Sequence, residues 1–309
     1  MAAANMVAPM TQASSASGLI TPIEPGRPGR RAAAVATAPA ATQAVYANAF
    51  RRLEAAVVSS CGSQHGVNED AFSPLEGSAR LFVVADGVGG GAMAQLASRL
   101  LVEALHATLD ARPVDGDRVA AAMLGADRTI AAAIARVTDR PGAATVALCA
   151  PLDVFAAKWL VAWVGDCRAH RWSPRKSDRI ELLTCDDTFA HLGETPPPGG
   201  APGDPARMVG NGATTGANVV VLGVEPGELL ALCSDGVHKH LDDADWCRVL
   251  AAPLPLARRA DALVSLARAH GSVDDATVML LQRSDHGWRG PRGKNGRAGS
   301  PSGRDGSEP

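Results

Sequence analysis

The sequence of 309 residues has few of the features that identify membrane, secreted or zinc-binding proteins. It has no run of about 18 apolar residues, which argues against a membrane span. Its N-terminus has no basic region followed by an unbroken apolar stretch, so a secretory signal is not expected. The cysteines form no C-x-x-C pair and have no zinc-ligand spacing, and a domain of this size needs no disulfide framework. We therefore expect reduced thiols and a cytoplasmic location. The cysteines are Cys61, Cys149, Cys167, Cys185, Cys233 and Cys247.

Aromatic residues and an excess of either charge are also scarce. Aromatic residues make up 4% of the chain, and the net charge of −2 with a pI of about 6.4 favours neither nucleic acid nor an anionic membrane as the main partner. Hydrophobic residues nevertheless make up 46% of the chain, which is ample for a core. The chain is rich in alanine, as is typical of a bacterial protein. We expect a monomer without a nucleic-acid or membrane partner.

The composition divides the chain into three parts. Residues 1–48 are rich in alanine and proline, and residues 284–309 are rich in glycine and arginine. Neither segment can bury enough apolar surface to offset its ordering entropy, so both are predicted to be disordered. Residues 49–283 are predicted to form one folded domain.

Within that domain, hydrophobic periodicity predicts strands joined by short turns and helices that come in pairs. This order favours an α+β layered domain over a doubly wound parallel sheet. The predicted strands are 55–60, 81–85, 144–150, 159–164, 169–172, 180–184, 219–222, 228–233 and 277–282, and the predicted helices are 92–111, 118–137, 244–251 and 255–270.

Residues 81–91, Leu-Phe-Val-Val-Ala-Asp-Gly-Val-Gly-Gly-Gly, form the most informative stretch. The pattern predicts a strand, a tight turn and a helix, with Asp86 at the end of the strand. Glycine after the aspartate lets the backbone approach whatever the carboxylate holds. Either a phosphate on the glycines or a metal on Asp86 would suit this arrangement. The phosphate alternative has weaker support, because neither the third glycine of a dinucleotide fingerprint nor the Gly-Lys-Ser/Thr of a P-loop follows.

Further carboxylates stand at the ends of other predicted strands. The dipeptide Asp-Gly by itself is common in turns. Turns do not explain, however, why carboxylates recur after several apolar runs. Carboxylate and carbonyl oxygens are the ligands that Mg²⁺ and Mn²⁺ prefer, whereas histidine is too scarce nearby for zinc or non-haem iron. The acidic residues are Glu69, Asp70, Asp86, Asp166, Asp235 and Asp274.

These acidic segments resemble, in order, the motifs of the metal-dependent protein phosphatases (PPM family, protein phosphatase 2C type). The resemblance covers nearly the whole predicted domain. It implies a four-layer α-β-β-α sandwich, with two antiparallel sheets flanked by helix pairs and metals at one end. The segments are 68–71 (Asn-Glu-Asp-Ala), 84–90 (Val-Ala-Asp-Gly-Val-Gly-Gly), 164–168 (Val-Gly-Asp-Cys-Arg), 232–236 (Leu-Cys-Ser-Asp-Gly) and 274–277 (Asp-Asp-Ala-Thr).

The resemblance also implies a metal complement of two Mn²⁺ or Mg²⁺ ions per site, with a weaker third. By position, Asp86 would bridge the two metals, and the Gly87 carbonyl would be a ligand of one. Asp235 and Asp274 would complete the shell of one metal, which makes these two residues and Asp86 the catalytic set.

Three further acidic residues receive metal-binding roles from the same resemblance. Either Glu69 or Asp70 would serve the other metal, directly or through water. Asp166 matches an aspartate associated with the weaker third metal.

The implied activity is hydrolysis of phosphoserine and phosphothreonine in proteins by a metal-activated water, with no phosphoenzyme. The implied partners are phosphorylated proteins, namely a Ser/Thr kinase or its substrates, or an anti-sigma-type regulator. An alternative is a metal-binding regulatory module of the same fold with weak or no catalysis. A phosphatase with a covalent aspartyl intermediate would need an Asp-x-Asp motif after the first strand, and none is present.

The sequence departs from the family pattern most clearly at His65, where many members have an arginine that grips the phosphate. We assign substrate binding to His65, with a packed loop residue as the alternative. Imidazole can donate a hydrogen bond to phosphate, but it lacks the bidentate guanidinium fork of arginine. The pair 274–275 reads Asp-Asp instead of Asp-Asn, and 165–168 reads Gly-Asp-Cys-Arg instead of Gly-Asp-Ser-Arg. None of these changes removes a core metal ligand.

Three other features near the proposed ligands have open interpretations. Cys167 and Cys233 are either oxidation-sensitive or, as we favour, small buried fillers. The run 238–240, His-Lys-His, either contacts a phosphopeptide or is a solvated charge cluster. The long loop 194–218 is predicted to govern substrate choice, since loops of this length are often functional.

Overall fold

The computed structural model describes residues 41–48, 51–63, 66–76, 80–110, 113–140 and 142–285. In chain order, the strands are β1 (Thr42–Ala47), β2 (Arg51–Ser60), β3 (Ala71–Phe72), β4 (Phe82–Val88), β5 (Ala143–Pro151), β6 (Lys158–Val164), β7 (Arg168–Ser173), β8 (Lys176–Leu182), β9 (Asn218–Gly223), β10 (Leu229–Cys233) and β11 (Ala276–Asp285). The helices are α1 (Ala92–Leu109), α2 (Gly116–Ala135), α3 (Phe189–Leu192), α4 (Asp235–His238), α5 (Asp243–Ala251) and α6 (Leu256–Ala269).

The strands form two antiparallel sheets. The first sheet has the order β1-β2-β11-β10-β7-β8, and the second has the order β3-β4-β5-β6-β9. Among the helices of the described residues, none is long and apolar enough to cross a membrane.

Three apolar clusters divide the molecule into four layers. One lies between the second sheet and helices α1 and α2, one between the two sheets, and one between the first sheet and helices α5 and α6. Each large side chain fully buried in them contributes on the order of 2 kcal/mol. This arrangement confirms the predicted α-β-β-α sandwich. Representative residues are Leu101, Ile130 and Val146 for the first cluster, Phe82, Trp159 and Leu232 for the second, and Trp246, Leu263 and Val278 for the third.

The connection from β4 to α1 follows the predicted strand–turn–helix pattern, with one correction. β4 continues to Val88 instead of ending at residue 85, because β5 pairs with its last residues. Asp86 therefore lies within the strand, two residues from its end. The following three glycines, residues 89–91, have φ values of 115°, 78° and 78°. Glycine adopts this left-handed region without strain, which allows the chain to turn sharply into α1.

The predicted boundaries of the folded domain are too narrow at both ends. Thr42–Ala47, placed within the disordered segment 1–48, is strand β1 and pairs with β2 over its whole length. Its Tyr46 donates a hydrogen bond to the Leu75 carbonyl at 2.6 Å and packs edge-on against Phe82. At the other end, β11 continues to Asp285. The remainder of both segments, residues 1–40 and 286–309, lies outside the described residues.

Short elements and one hairpin also differ from the prediction. β8 starts at Lys176, four residues before the predicted start, because a tight turn lets Ser173 pair with Lys176. β3, α3 and α4 were not predicted, since two to four residues are too few to show a period.

The pairing of β2 with β11 positions the acidic loops. The two strands pair over ten residues, from Ala276↔Ser60 to Asp285↔Arg51, and β11 lies between β2 and β10. The loop that follows β2 and the turn that precedes β11 therefore meet at one end of the first sheet. The turn after β10 joins them, because Cys233 pairs with Val278 near the start of β11.

Candidate active site

A cavity of about 230 Å³ lies at this end of the sandwich and is lined mainly by acidic side chains. Of the predicted site residues, Asp70 lies buried behind the lining, and His65 lies outside the described residues. The cavity thus brings together residues that are far apart in the sequence. The predicted site residues that line it are Glu69, Asp86, Gly87, Asp166, Asp235 and Asp274.

Two glycines allow the acidic segments to approach one another. A Cβ atom on Gly236 would lie 2.0 Å from the carbonyl oxygen of Asp275. A Cβ atom on Gly87 would lie 2.4 Å from the carbonyl oxygen of Ala94 and 2.9 Å from that of Glu69. Both distances to backbone are far below van der Waals contact, so any side chain at either position would push the loops apart.

The second aspartate of the Asp-Asp pair positions a neighbouring loop. The Asp275 carboxylate accepts hydrogen bonds from the backbone N–H groups of Gly62 and Glu69, each at 2.6 Å. Arg268 supports the same turn by donating to the backbone carbonyls of Ser60 and Asp274. The departure from Asp-Asn therefore supplies two acceptor oxygens that tie the loop 61–70 to the turn before β11.

The environments of Glu69 and Asp70 distinguish the two candidate ligands. Glu69 Oε1 accepts a hydrogen bond from Gly91 N at 2.5 Å, at the N-terminus of α1, where a negative charge is favourable. Asp70 Oδ2 accepts a hydrogen bond from Ser234 at 2.8 Å, but Oδ1 is buried without a hydrogen-bond partner. Burial raises the pKa of Asp70 to about 8. Asp70 therefore carries a buried carboxylate oxygen without a hydrogen bond, whereas Glu69 lines the cavity and is bound to Gly91.

Asp86 and Asp235 are joined by a hydrogen bond between their carboxyl groups. Burial, together with the charges of Asp70, Asp235 and Asp166, raises the pKa of Asp86 well above its usual value. Burial would also raise the pKa of Asp235, but the charge and hydrogen bond of Lys239 and the hydrogen bond from Asp86 outweigh it, so that this pKa is lowered. The pKa values of the two carboxyl groups are therefore displaced in opposite directions.

Asp166 is held by two consecutive residues of the neighbouring segment. Its side chain is 4% exposed and lies 3.4 Å from Lys239 Nζ, and its backbone carbonyl accepts a hydrogen bond from His238 Nε2 at 2.9 Å. Burial, reinforced by the charge of Asp235, raises the pKa of Asp166 to about 6. The interpretation of 238–240 as a solvated cluster is wrong for His238, which is buried, whereas Lys239 is exposed and also lines the cavity.

This donor set suits hard divalent cations. The carboxylates supply only oxygen ligands, which such cations prefer. Their mutual repulsion contributes to the raised pKa values. Asp70 and Asp166 each carry a buried oxygen without a hydrogen bond. In the part of the chain that the structure describes, no three histidine, cysteine, aspartate or glutamate side chains are arranged to hold a metal ion as they stand. Glu69 is bound to Gly91 and Asp235 to Lys239. A metal ion held by Glu69 or Asp235 would therefore have to displace or share these contacts.

The loop 194–218 reaches the same cavity, where Asp204 and Pro205 form part of the wall. Its far end is fixed by Asp127 of α2, which accepts hydrogen bonds from Gly210 N at 2.6 Å and Gly212 N at 3.0 Å. The loop is therefore anchored to the helical layer while its middle borders the acidic residues.

Cys167 and Cys233, which neighbour two of the acidic residues, are buried with 1% and 0% exposure. Burial raises the pKa of both thiols, which makes them poor nucleophiles. The interpretation as small buried fillers is confirmed.

Sequence comparison relates the chain to a known family. The family described as protein phosphatase 2C matches residues 59–269, which is more than half of the chain. The serine/threonine protein phosphatase PstP of Mycobacterium tuberculosis is 31% identical over 233 residues, which cover 72% of this chain and 43% of PstP. The chain thus spans less than half the length of that curated relative.

Solved structures agree with the sequence comparison. The catalytic domain of PstP in complex with two manganese ions is 25% identical, with a TM-score of 0.64, over 76% of this chain and 100% of that domain. PppA, a key regulatory component of T6SS in Pseudomonas aeruginosa, is 27% identical, with a TM-score of 0.62, over 75% of this chain and 97% of PppA. The predicted family is confirmed: the chain belongs to the protein phosphatase 2C family.

Proposed function

We propose that the protein is a metal-dependent serine/threonine protein phosphatase that hydrolyses phosphoserine and phosphothreonine. The observation that carries the proposal is the convergence of carboxylates from six separate chain segments on one cavity. Divalent cations would neutralise this cluster, and phosphate-ester hydrolysis is a chemistry that uses such cations at a fixed site.

Two divalent cations, Mn²⁺ or Mg²⁺, would be held by Asp86, Asp235 and Asp274 together with Asp70 or Glu69. When bound, they would supply an attacking water of lowered pKa and neutralise charge on the phosphoryl group. The protein contributes fixed charge, because these carboxylates are buried or half-buried, and because Glu69 and Asp70 accept hydrogen bonds from Gly91 N and the Ser234 hydroxyl. Preorganised charge of this kind stabilises a transition state without reorganisation at the moment of reaction.

The relatives support the assignment of substrate class. PstP is named a serine/threonine protein phosphatase, and its catalytic domain has been solved in complex with two manganese ions. We extend this to phosphorylated proteins, among them a Ser/Thr kinase or its substrates, as partners of a cytoplasmic monomer. Substrate binding by His65 stays a prediction.

The test is hydrolysis of a phosphothreonine peptide in Mn²⁺, in Mg²⁺ and in EDTA by the wild type, Asp86→Asn and Asp178→Asn. Asp178 is exposed on β8, away from the cavity, and is the matched control. We expect EDTA to abolish turnover and Asp86→Asn to lower kcat/KM at least about 100-fold, since losing a charge contact worth roughly 3 kcal/mol has that effect. Asp178→Asn should match the wild type.

A folded wild type that binds Mn²⁺ but hydrolyses no phosphopeptide between pH 6 and 9 would contradict the proposal. That result would favour the metal-binding regulatory module instead.

A further inference from the structure

Lys239 is the only basic side chain among the described residues that line the acidic cavity. It follows α4 directly, four residues after Asp235, and its backbone N–H donates to the Asp235 carbonyl at 3.1 Å. This helical turn brings the two side chains to the same side, as is usual for residues four apart. Nζ of Lys239 lies 2.6 Å from Oδ2 of Asp235.

The same ammonium group lies 3.4 Å from Oδ2 of Asp166, a buried oxygen without a hydrogen-bond partner. Since His238 holds the backbone carbonyl of Asp166, two consecutive residues fix this aspartate beside the lysine. The lysine is therefore held between two carboxylates that come from different sheets of the sandwich, one after β6 and one after β10.

A lysine ammonium and a divalent cation would compete for these two carboxylates. Opposite charge attracts either cation to the pair, but two positive groups at such short range repel each other strongly in a partly buried site. The lysine is also tethered to one of the carboxylates through a single helical turn, so it does not diffuse away when a cation arrives. The Lys239 side chain is 47% exposed. Its ammonium group is therefore held by the two carboxylates and not by burial of its apolar stem.

We infer that Lys239 is a built-in cation of the cavity, which occupies the position between Asp166 and Asp235 and excludes a divalent ion from that pair. The inference rests on the proposed function, because it states how many metal ions that site takes. The chain accordingly binds the two divalent ions of the proposed function and not a third ion shared by Asp166 and Asp235.

Metal stoichiometry tests this inference directly. The full chain would be titrated with Mn²⁺ and followed by the EPR signal of free Mn²⁺ and by calorimetry, using the wild type, Lys239→Met and Lys239→Arg. We expect two bound Mn²⁺ ions in the wild type and in Lys239→Arg, which keeps the charge. Lys239→Met should gain a third, weaker ion, and adding Asp166→Asn to it should remove that ion again.

Thermal unfolding adds a second readout and checks that each variant is folded. A third site filled only at millimolar Mn²⁺ should raise the Tm of Lys239→Met in that range and not that of the wild type, since binding to the native state stabilises it. Equal numbers of bound Mn²⁺ in the wild type and Lys239→Met, or three in the wild type, would overturn the inference.

The proposed function and this inference fail in different ways. A wild type that binds two Mn²⁺ ions and cleaves no phosphopeptide contradicts the proposed function and leaves the role of Lys239 standing. A wild type that binds no Mn²⁺ contradicts both.

Discussion

A single buried side chain in the first sheet, His170, makes the stability of the protein sensitive to acid. His170 on β7 is 6% exposed and stacks on Trp246 at 5.1 Å between ring centroids, and its Nδ1 has no hydrogen-bond partner. Burial, with smaller contributions from the charges of His238 and Arg168, lowers the pKa of His170 to about 3. The folded state therefore holds this imidazole neutral at a pH where the unfolded chain would protonate it.

The direction in which stability depends on pH follows from the pKa of His170, which in the folded state is below its usual value of 6.5. The neutral histidine costs no stability above about pH 6.5, and stability is lost as pH falls from there toward 3. We expect His170→Phe, which keeps the stacking ring, to gain about 2 kcal/mol relative to the wild type at pH 5 compared with pH 7.5. Urea unfolding at both pH values measures this difference.

Leu192→Ala, on exposed α3, removes no titratable group, so this control should show the same relative stability at both pH values. The same free-energy difference for His170→Phe at pH 5 and 7.5 would show that His170 does not titrate as we expect.

At this scale the sequence predicted which residues converge but not how each is used. Asp86, Asp166 and Asp235 could be found because each follows an apolar run that reads as a strand. The roles of Asp275 and Lys239 could not be found, because they depend on which loops pack together. Lys239 is four residues from Asp235, which is a local signal, but its contact with Asp166 exists only once the two sheets are stacked.

Among the elements, the loop between α3 and β9 joins the helical layer to the cavity. Asp127 on α2 accepts two backbone N–H groups of the loop, at Gly210 and Gly212, while Asp204 borders the acidic residues. Loss of the Asp127 carboxylate would leave the buried N–H of Gly210 and the more exposed N–H of Gly212 without this partner, and would free the end of the loop.

We expect Asp127→Ala to lower the free energy of unfolding by about 1–3 kcal/mol, the usual cost of unpaired buried polar groups. We also expect a roughly 3- to 10-fold loss of kcat/KM for a phosphopeptide, since a misplaced positioning element costs rate without altering the reacting groups. Hydrolysis of p-nitrophenyl phosphate, which is too small to need the loop, should change less. Chemical denaturation and parallel kinetics on both substrates provide the measurements.

Arg128→Ala, an exposed neighbour on the same helix, serves as the control. A proportional loss on both substrates by Asp127→Ala would indicate damage to the cavity instead of to substrate choice.

At the scale of the whole molecule, residues 41–285 contain all four packed layers that the structure describes. The layered architecture could be predicted because long apolar strands and paired helices leave few alternatives. β1 was missed, since it follows a low-complexity segment and its alternation, with Ala44 and Tyr46 facing the core, is short. Its place is decided by pairing with β2, which the local sequence does not encode.

A chain limited to residues 41–285 is expected to keep the Tm and the phosphatase activity of the full chain. A chain limited to residues 49–285 should unfold at a lower temperature, because it loses β1 and the contacts of Tyr46 with Leu75 and Phe82. Calorimetry and phosphopeptide hydrolysis on the three chains give the comparison. Equal Tm values for the two shortened chains would show that β1 contributes nothing to stability.

The central position of β11 has a consequence for biosynthesis. β11 is the last strand to be synthesised, yet it pairs with β2 on one side and β10 on the other, and Asp274 lies just before it. A nascent chain interrupted before residue 276 has two open sheet edges, which favour aggregation. Such a fragment also lacks the strand that holds the acidic turns together. The acidic cavity is therefore complete only once β11 has been translated.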